Sequence, residues 1–205
     1  MTLKVGILAV QGDVEEHEGA VEAAGEELGV EVDTVWVRYP EDVEGLDALI
    51  VPGGESTTIG RIMERHDLVD PVVEEIESGL PVMGTCAGLV LLAKEVVPQA
   101  HPGREVEIEQ PCLGVLDVRV VRNAFGRQRE SFEVDLEVEG MDEPFTAVFI
   151  RAPGVEKVLS DDVDVLAEFG DYIVAVEQGN VLATAFHPEL ADDPRFHVKL
   201  LEKAL

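Results

Sequence analysis

Two cysteines occur among 205 residues, and one of them, Cys86, sits in the stretch PVMGTCAGLVLLA (81–93) with Gly84 and Gly88 two residues to either side. G-x-C-x-G is the thiol form of a nucleophile elbow, a sharp strand-to-helix turn that exposes its central side chain. Small neighbours are needed there because larger ones would strike the strand or the helix. The first turn of the helix leaves backbone N–H groups unpaired beneath the sulfur, and with the helix dipole they favour an anionic sulfur. The N–H of Ala87 can also point at a developing oxyanion. The competing reading of Cys86 is a buried thiol that packs as a small hydrophobe.

A thiol nucleophile needs a base, and the base needs an orienting group. The stretch TAFHPEL supplies His187 and Glu189. Pro188 restricts His187 to extended backbone, where residues i and i+2 project to one side. The pair is therefore expected side by side at the end of a strand over 181–186, unless His187 is only a capped surface histidine. His17, His66, His101 and His197 lack such a companion and read as structural or solvated. A third element is Pro52-Gly53-Gly54-Glu55-Ser56, after the apolar run ALIV. Two glycines let backbone pass close to a ligand, and the Gly53 N–H is a candidate second oxyanion donor. The plainer reading is a tight connection with Ser56 or Thr57 as N-cap. The loop lacks the lysine of a phosphate-cradling motif, so no nucleotide site is expected.

These residues must be carried by elements. LKVGILAV (3–10) and LDALIV (46–51) are continuous apolar runs, typical of strands covered on both faces. VEEHEGAVEAAGEEL (14–28) has helical spacing, VEVDTVWV (30–37) alternates as a strand, and 57–79 covers one or two helices ending at Gly79. LPVMGT (80–85) is a short strand and 87–96 a helix. The β-α-β-β-α-β-α order predicts a parallel sheet with helices on both faces. The three chemical stretches then all follow strands at their carboxyl ends, where open α/β sheets bind ligands. The second half reads as partly antiparallel strands, with a closing amphipathic helix in DDPRFHVKLLEKAL. Residues 98–112 look like an irregular loop. No boundary interrupts the chain, so 1–205 is read as one domain with an open, mixed, mostly parallel sheet.

Composition narrows the function classes. The net charge of −28 gives no footprint for a nucleic-acid backbone. No run of about 20 apolar residues suggests a membrane span, and the N-terminal stretch lacks the basic region of a signal peptide. Two isolated cysteines and five scattered histidines make neither a disulfide framework nor a structural zinc site. A cytoplasmic protein with free thiols fits. The acids are spread along the whole chain, as expected for solvation in a salt-rich cytoplasm rather than one basic partner.

GTCAGLVLLA, PGGEST and FHPE together resemble the triad (class I) glutamine amidotransferases, a flavodoxin-like fold. Within them, VGILAVQGDVEEH, LIVPGGESTTIGR, RNAFGRQRESFE, PFTAVFIRAP and AFHPEL resemble the glutaminase subunits of pyridoxal 5′-phosphate synthases, in order from about residue 3 to 190. The resemblance implies hydrolysis of L-glutamine to L-glutamate and ammonia, without metal or organic cofactor. It also implies delivery of the ammonia to a barrel-shaped synthase subunit. Carried over by position, Cys86 is the nucleophile, His187 the base and later acid, and Glu189 the orienter. Gly54, Glu55 and Ser56 match the glutamine-binding loop, Arg122, Ile150 and Arg151 match further substrate contacts, and Gln11 matches a position near the partner interface. Two alternatives are a triad glutaminase serving another synthase, against which FGRQRESFE argues, and a cysteine hydrolase or redox sensor on the same fold. The 98–112 loop looks longer than its family counterpart, and its Cys112 matches no catalytic position.

Overall fold

Apolar runs covered on both faces become the centre of a sheet. The computed structural model of the chain describes residues 2–98, 110–126 and 131–205. In chain order the first half contains β1 (Thr2–Leu8), α1 (Val14–Leu28), β2 (Glu31–Val37), β3 (Ala48–Val51), α2 (Ser56–Arg65), α3 (Val69–Glu77), β4 (Val82–Thr85) and α4 (Ala87–Leu92). The second half contains β5 (Ala93–Val97), β6 (Leu116–Val121), β7 (Ser131–Leu136), β8 (Phe145–Ile150), β9 (Gly154–Val158), β10 (Asp164–Phe169), β11 (Tyr172–Gln178), β12 (Val181–Thr184) and α5 (Arg195–Glu202).

The main sheet runs β2-β1-β3-β4-β12-β11-β9-β6-β5, with β10 added on β11. The five strands from β2 to β12 are parallel, and every residue of β3, β4 and β12 is buried. That is the mostly parallel mixed sheet the sequence implies. The β1→β2 and β3→β4 crossovers run in opposite directions along the sheet. Right-handed crossovers therefore place their helices on opposite faces, where α1 packs on α5 and α2 packs on α3 and α4. The strand order reverses between β1 and β3, a topological switch point of the kind beside which open α/β sheets bind ligands at their carboxyl ends. Among the described residues, no helix is long and apolar enough to cross a membrane.

Several local expectations change. The helix expected over 87–96 stops at Leu92. Ala93 turns to extended geometry and the chain becomes β5, parallel to β6. Lys94 and Glu95 are not the last turn of a helix. They pair across the strands with Asp117 at 2.8 Å and Arg119 at 2.6 Å. The 57–79 stretch is two helices, broken at Asp67, which has φ +54°. GVEKV forms β9, which sequence reading left unassigned. Most of the 98–112 loop, with His101, lies outside the described residues. Cys112 is half-buried, its Sγ 3.7 Å from the Val90 carbonyl of α4, and burial pushes its thiol up.

β7 and β8 pair only with each other in a two-stranded sheet. Aromatic rings seat this hairpin on the body. All seven phenylalanines of the chain and Tyr172 form one connected cluster, with centroids 4.8 to 5.8 Å apart. Phe132 and Phe149 stack across the hairpin, and Phe149 reaches Phe186, the residue before His187.

Candidate active site

Cys86 lies between β4 and α4 with φ +50° and ψ −100°. A non-glycine residue there costs about 1–3 kcal/mol and persists only where its surroundings fix it. The fixing contacts are visible. The Cys86 N–H donates to the Thr184 carbonyl of β12 at 2.8 Å. A Cβ on Gly88 would collide with the Val51 carbonyl of β3, and one on Gly84 would lie 2.8 Å from the Gly88 carbonyl carbon. The two glycines thus let α4 settle on β3 and β4, which holds the elbow in place. Cys86 is 8% exposed and its Sγ lies 3.8 Å from the Ile150 carbonyl.

His187 follows β12, and its N–H donates to the Val148 carbonyl of β8 at 2.8 Å. Its Nδ1 lies 2.7 Å from Glu189 Oε1 and 3.5 Å from Asp13 Oδ2. β12 lies beside β4 in parallel register, Thr184 against Thr85, so His187 and Cys86 leave the same end of adjacent strands, and the sulfur acts on the imidazole electrostatically. With Nδ1 taken by Glu189, Nε2 is the nitrogen left for the sulfur. The expected pairing of 187 with 189 is present, but not on extended backbone, because Pro188–Leu190 forms a 3-10 turn. Proline at its first position suits that turn, and both side chains still reach the same side. Burial opposes charge on His187, yet its interaction with Cys86 and its bond to the Glu189 carboxylate hold its pKa up at about 10. Burial also raises the Glu189 pKa, against the opposing bond from His187.

Asp13, His187 and Glu189 offer ligand atoms within 4.8 Å of one another, enough in number for a cation. However, His187 Nδ1 and Glu189 Oε1 are already bonded to each other, which suits proton transfer. Gly53 packs against the imidazole, since a Cβ there would lie 2.5 Å from His187 Cε1. Any larger residue would push the ring off the sulfur.

The remaining candidates form the neighbouring wall. Gly54 has φ +140°, and a Cβ on it would meet the Gln11 side chain at 2.6 Å. Gln11 Oε1 accepts from the Glu55 N–H at 2.9 Å. Glu55, rather than Ser56 or Thr57, caps α2, accepting from the N–H groups of Thr57 and Thr58. Burial would raise its pKa, but the bonds from Thr58 and Thr57 outweigh it and hold the carboxyl at about 2. Arg122 reaches Glu55 Oε1 at 3.0 Å, Thr57 Oγ1 at 3.1 Å and Gln110 Oε1 at 3.3 Å. Ser56 is buried and donates to Gln110 Oε1 at 3.0 Å. Ile150 brings its carbonyl to Cys86 and keeps its side chain exposed. Arg151 beside it has φ +44°. Ala87 is the first residue of α4, next to the sulfur.

Sequence reading missed Asp13, Gln110 and His17. Of the two readings of His17, structural or solvated, the structural one holds: it is fully buried, with Nε2 3.6 Å from Glu189 Oε2. One signal was available, because His17 shares the buried stripe of α1 with Val21 and Ala24. A histidine on an apolar stripe needs a polar partner across the interface.

A family model described as the SNO glutamine amidotransferase family matches residues 7–204. A protein of Methanopyrus kandleri named pyridoxal 5′-phosphate synthase subunit PdxT is 71% identical over 201 residues, covering 98% of this chain and 100% of its own. A Thermococcus onnurineus protein of the same name is 53% identical over 203 residues, covering 99% and 100%. A solved structure described as a glutamine amidotransferase superposes with a TM-score of 0.81 at 52% identity, covering 98% of both chains. With the elbow cysteine, the imidazole and the carboxylate already gathered at one rim of the sheet, these matches fix the kinship: the chain belongs to the SNO glutamine amidotransferase family.

Proposed function

We propose that the chain is the glutaminase subunit of a pyridoxal 5′-phosphate synthase, hydrolysing L-glutamine to L-glutamate and ammonia. The ammonia passes to a separate, barrel-shaped synthase subunit in the cytoplasm for vitamin B6 synthesis. The observation that supports this reading is the elbow cysteine at the end of β4 beside the hydrogen-bonded His187–Glu189 pair at the end of the adjacent parallel strand β12. The shared name of the Methanopyrus and Thermococcus relatives supplies the biosynthetic setting.

Each step uses groups on the chain and water. With its proton held by His187, the sulfur of Cys86 attacks the carboxamide carbon of glutamine as a thiolate. Backbone N–H groups of Gly53 and Ala87 receive the oxyanion. The C–N bond breaks as His187 gives its proton to the departing ammonia, leaving a γ-glutamyl thioester. His187, now neutral, takes a proton from water, whose oxygen attacks the thioester and releases glutamate. Glu189 keeps the imidazole turned so that one nitrogen faces the sulfur throughout. Ionised Glu55 and the Arg122 guanidinium offer opposite charges to the α-ammonium and α-carboxylate of the substrate, and Gly54, Ser56, Ile150 and Arg151 complete the pocket wall.

The test compares ammonia release by wild type and Cys86→Ala, each with and without the synthase subunit. The wild type is expected to turn over with the partner, and the variant to lose at least about 10³-fold. Acid quenching should trap a γ-glutamyl adduct on Cys86, read by mass spectrometry. Equal rates for the two proteins would remove the nucleophile. Peroxide oxidation of Cys86 without glutamine turnover would favour a redox protein.

A further inference from the structure

Behind Glu189 lies a group of buried polar side chains that the reaction above does not use. His17 of α1, Thr85 of β4 and His197 of α5 are all fully buried. His17 Nδ1 is 3.0 Å from His197 Nε2, and His17 Nε2 is 3.2 Å from Thr85 Oγ1. The same Nε2 lies 3.6 Å from Glu189 Oε2. That is the carboxylate oxygen turned away from His187, and it has no hydrogen-bond partner. His197 Nδ1 likewise has none.

These orphans decide where the protons sit. Burial lowers the pKa of both rings, that of His197 to about 3, and His17 is lowered further by the charges of His197 and His187. Both are therefore neutral, each with one N–H, and two arrangements satisfy the contact between them. In the first, His17 Nδ1–H donates to His197 Nε2. The His197 proton is then on Nδ1, a buried donor without a partner, and His17 turns a lone pair toward the Glu189 carboxylate. In the second, His197 Nε2–H donates to His17 Nδ1. The orphan on His197 is then only a lone pair, and His17 Nε2–H faces both Thr85 Oγ1 and Glu189 Oε2. Orphaned buried N–H groups are rarer than under-used acceptors, and an N–H facing a carboxylate is favourable. The second arrangement prevails.

The geometry points to His17, held in one tautomer by His197, as a positioning residue for Glu189: its Nε2–H faces the outer carboxylate oxygen and keeps the inner one aligned on His187 Nδ1. Because Thr85 immediately precedes Cys86, the same ring also braces the strand that carries the nucleophile. This inference rests on the Cys86–His187–Glu189 reading and extends it inward by one layer.

Glutamine hydrolysis by the full chain combined with its synthase subunit tests it. Cys86→Ala comes first, since full activity in that variant overturns the triad and this inference together. With Cys86→Ala inactive, His17→Leu is expected to lower kcat at least about tenfold while KM stays within about twofold. His17→Gln, whose amide N–H replaces Nε2–H, should restore most of that loss. The ¹⁵N shifts of the wild-type ring should report a neutral His17 protonated at Nε2. Wild-type kcat in His17→Leu, equal losses in the Leu and Gln variants, or a proton on Nδ1 would each overturn the positioning role and leave the triad standing. Should His17→Leu fail to fold, the tautomer and the kcat of His17→Gln decide the matter.

Discussion

In the proposed mechanism His187 moves protons, whereas Glu189 only holds the ring that moves them, and the two should differ in what their loss costs. His187→Asn removes the transferring group and is expected to slow thioester formation by about 10³–10⁴-fold. Glu189→Gln keeps a hydrogen-bond acceptor near Nδ1 and should cost about 10–100-fold, the scale of one bond to a charged group. Single-turnover quench measurements compare them, and equal rates would contradict the assigned roles. At this scale the sequence was legible wherever chemistry is written locally. G-x-C-x-G announces its elbow through spacing and small residues, and H-P-E announces the pairing of His187 with Glu189, though on a 3-10 turn rather than extended backbone. Contacts made across the fold were not legible. Gln110 meets Arg122 and Ser56 only because their strands and loops converge. Glutamate is an uncommon N-cap, yet here the Glu55 carboxylate, just after Gly54 at φ +140°, accepts from the N–H groups of Thr57 and Thr58.

The junction of α1, β4 and α5 has a consequence for stability. His17 and His197 are neutral in the folded chain, with pKa values below the roughly 6.5 of an exposed histidine. Below about pH 6.5 the unfolded chain takes up protons that the folded one excludes. Stability should therefore fall with acidification, by about 1.4 kcal/mol per pH unit for each ring, down to the folded pKa. Replacing His197 with Leu should flatten that slope by about 1.4 kcal/mol per unit between pH 6 and 4, read from urea unfolding at several pH values. An unchanged slope would mean that His197 is charged in the fold. Elements with a strong single pattern were read correctly, α1 to the residue. The α4–β5 boundary was not, because AGLVLLAKEVV is apolar enough for either state. Its strand half is decided by Asp117 and Arg119 on β6, which the local pattern cannot display.

Across the whole molecule, 43 acidic side chains face 15 basic ones. Their mutual repulsion opposes compaction, and salt screens it over a Debye length of about 3 Å at 1 M against about 30 Å at 0.01 M. The thermal midpoint should accordingly rise from low to molar KCl, and a flat profile would show that this repulsion does not limit the stability of the fold. The mostly parallel first half was foreseeable from uninterrupted apolar strands, and the second half only as a set of antiparallel pieces. What binds those pieces to the site is the phenylalanine cluster beneath the β7–β8 hairpin, with the His187 N–H bonded to Val148. Ring burial is driven near room temperature by water's entropy and weakens on cooling. The carbonyl of Ile150 beside the sulfur is thus held by a joint that slackens on chilling, so cold should loosen the segment facing the thiol before it loosens the parallel strands.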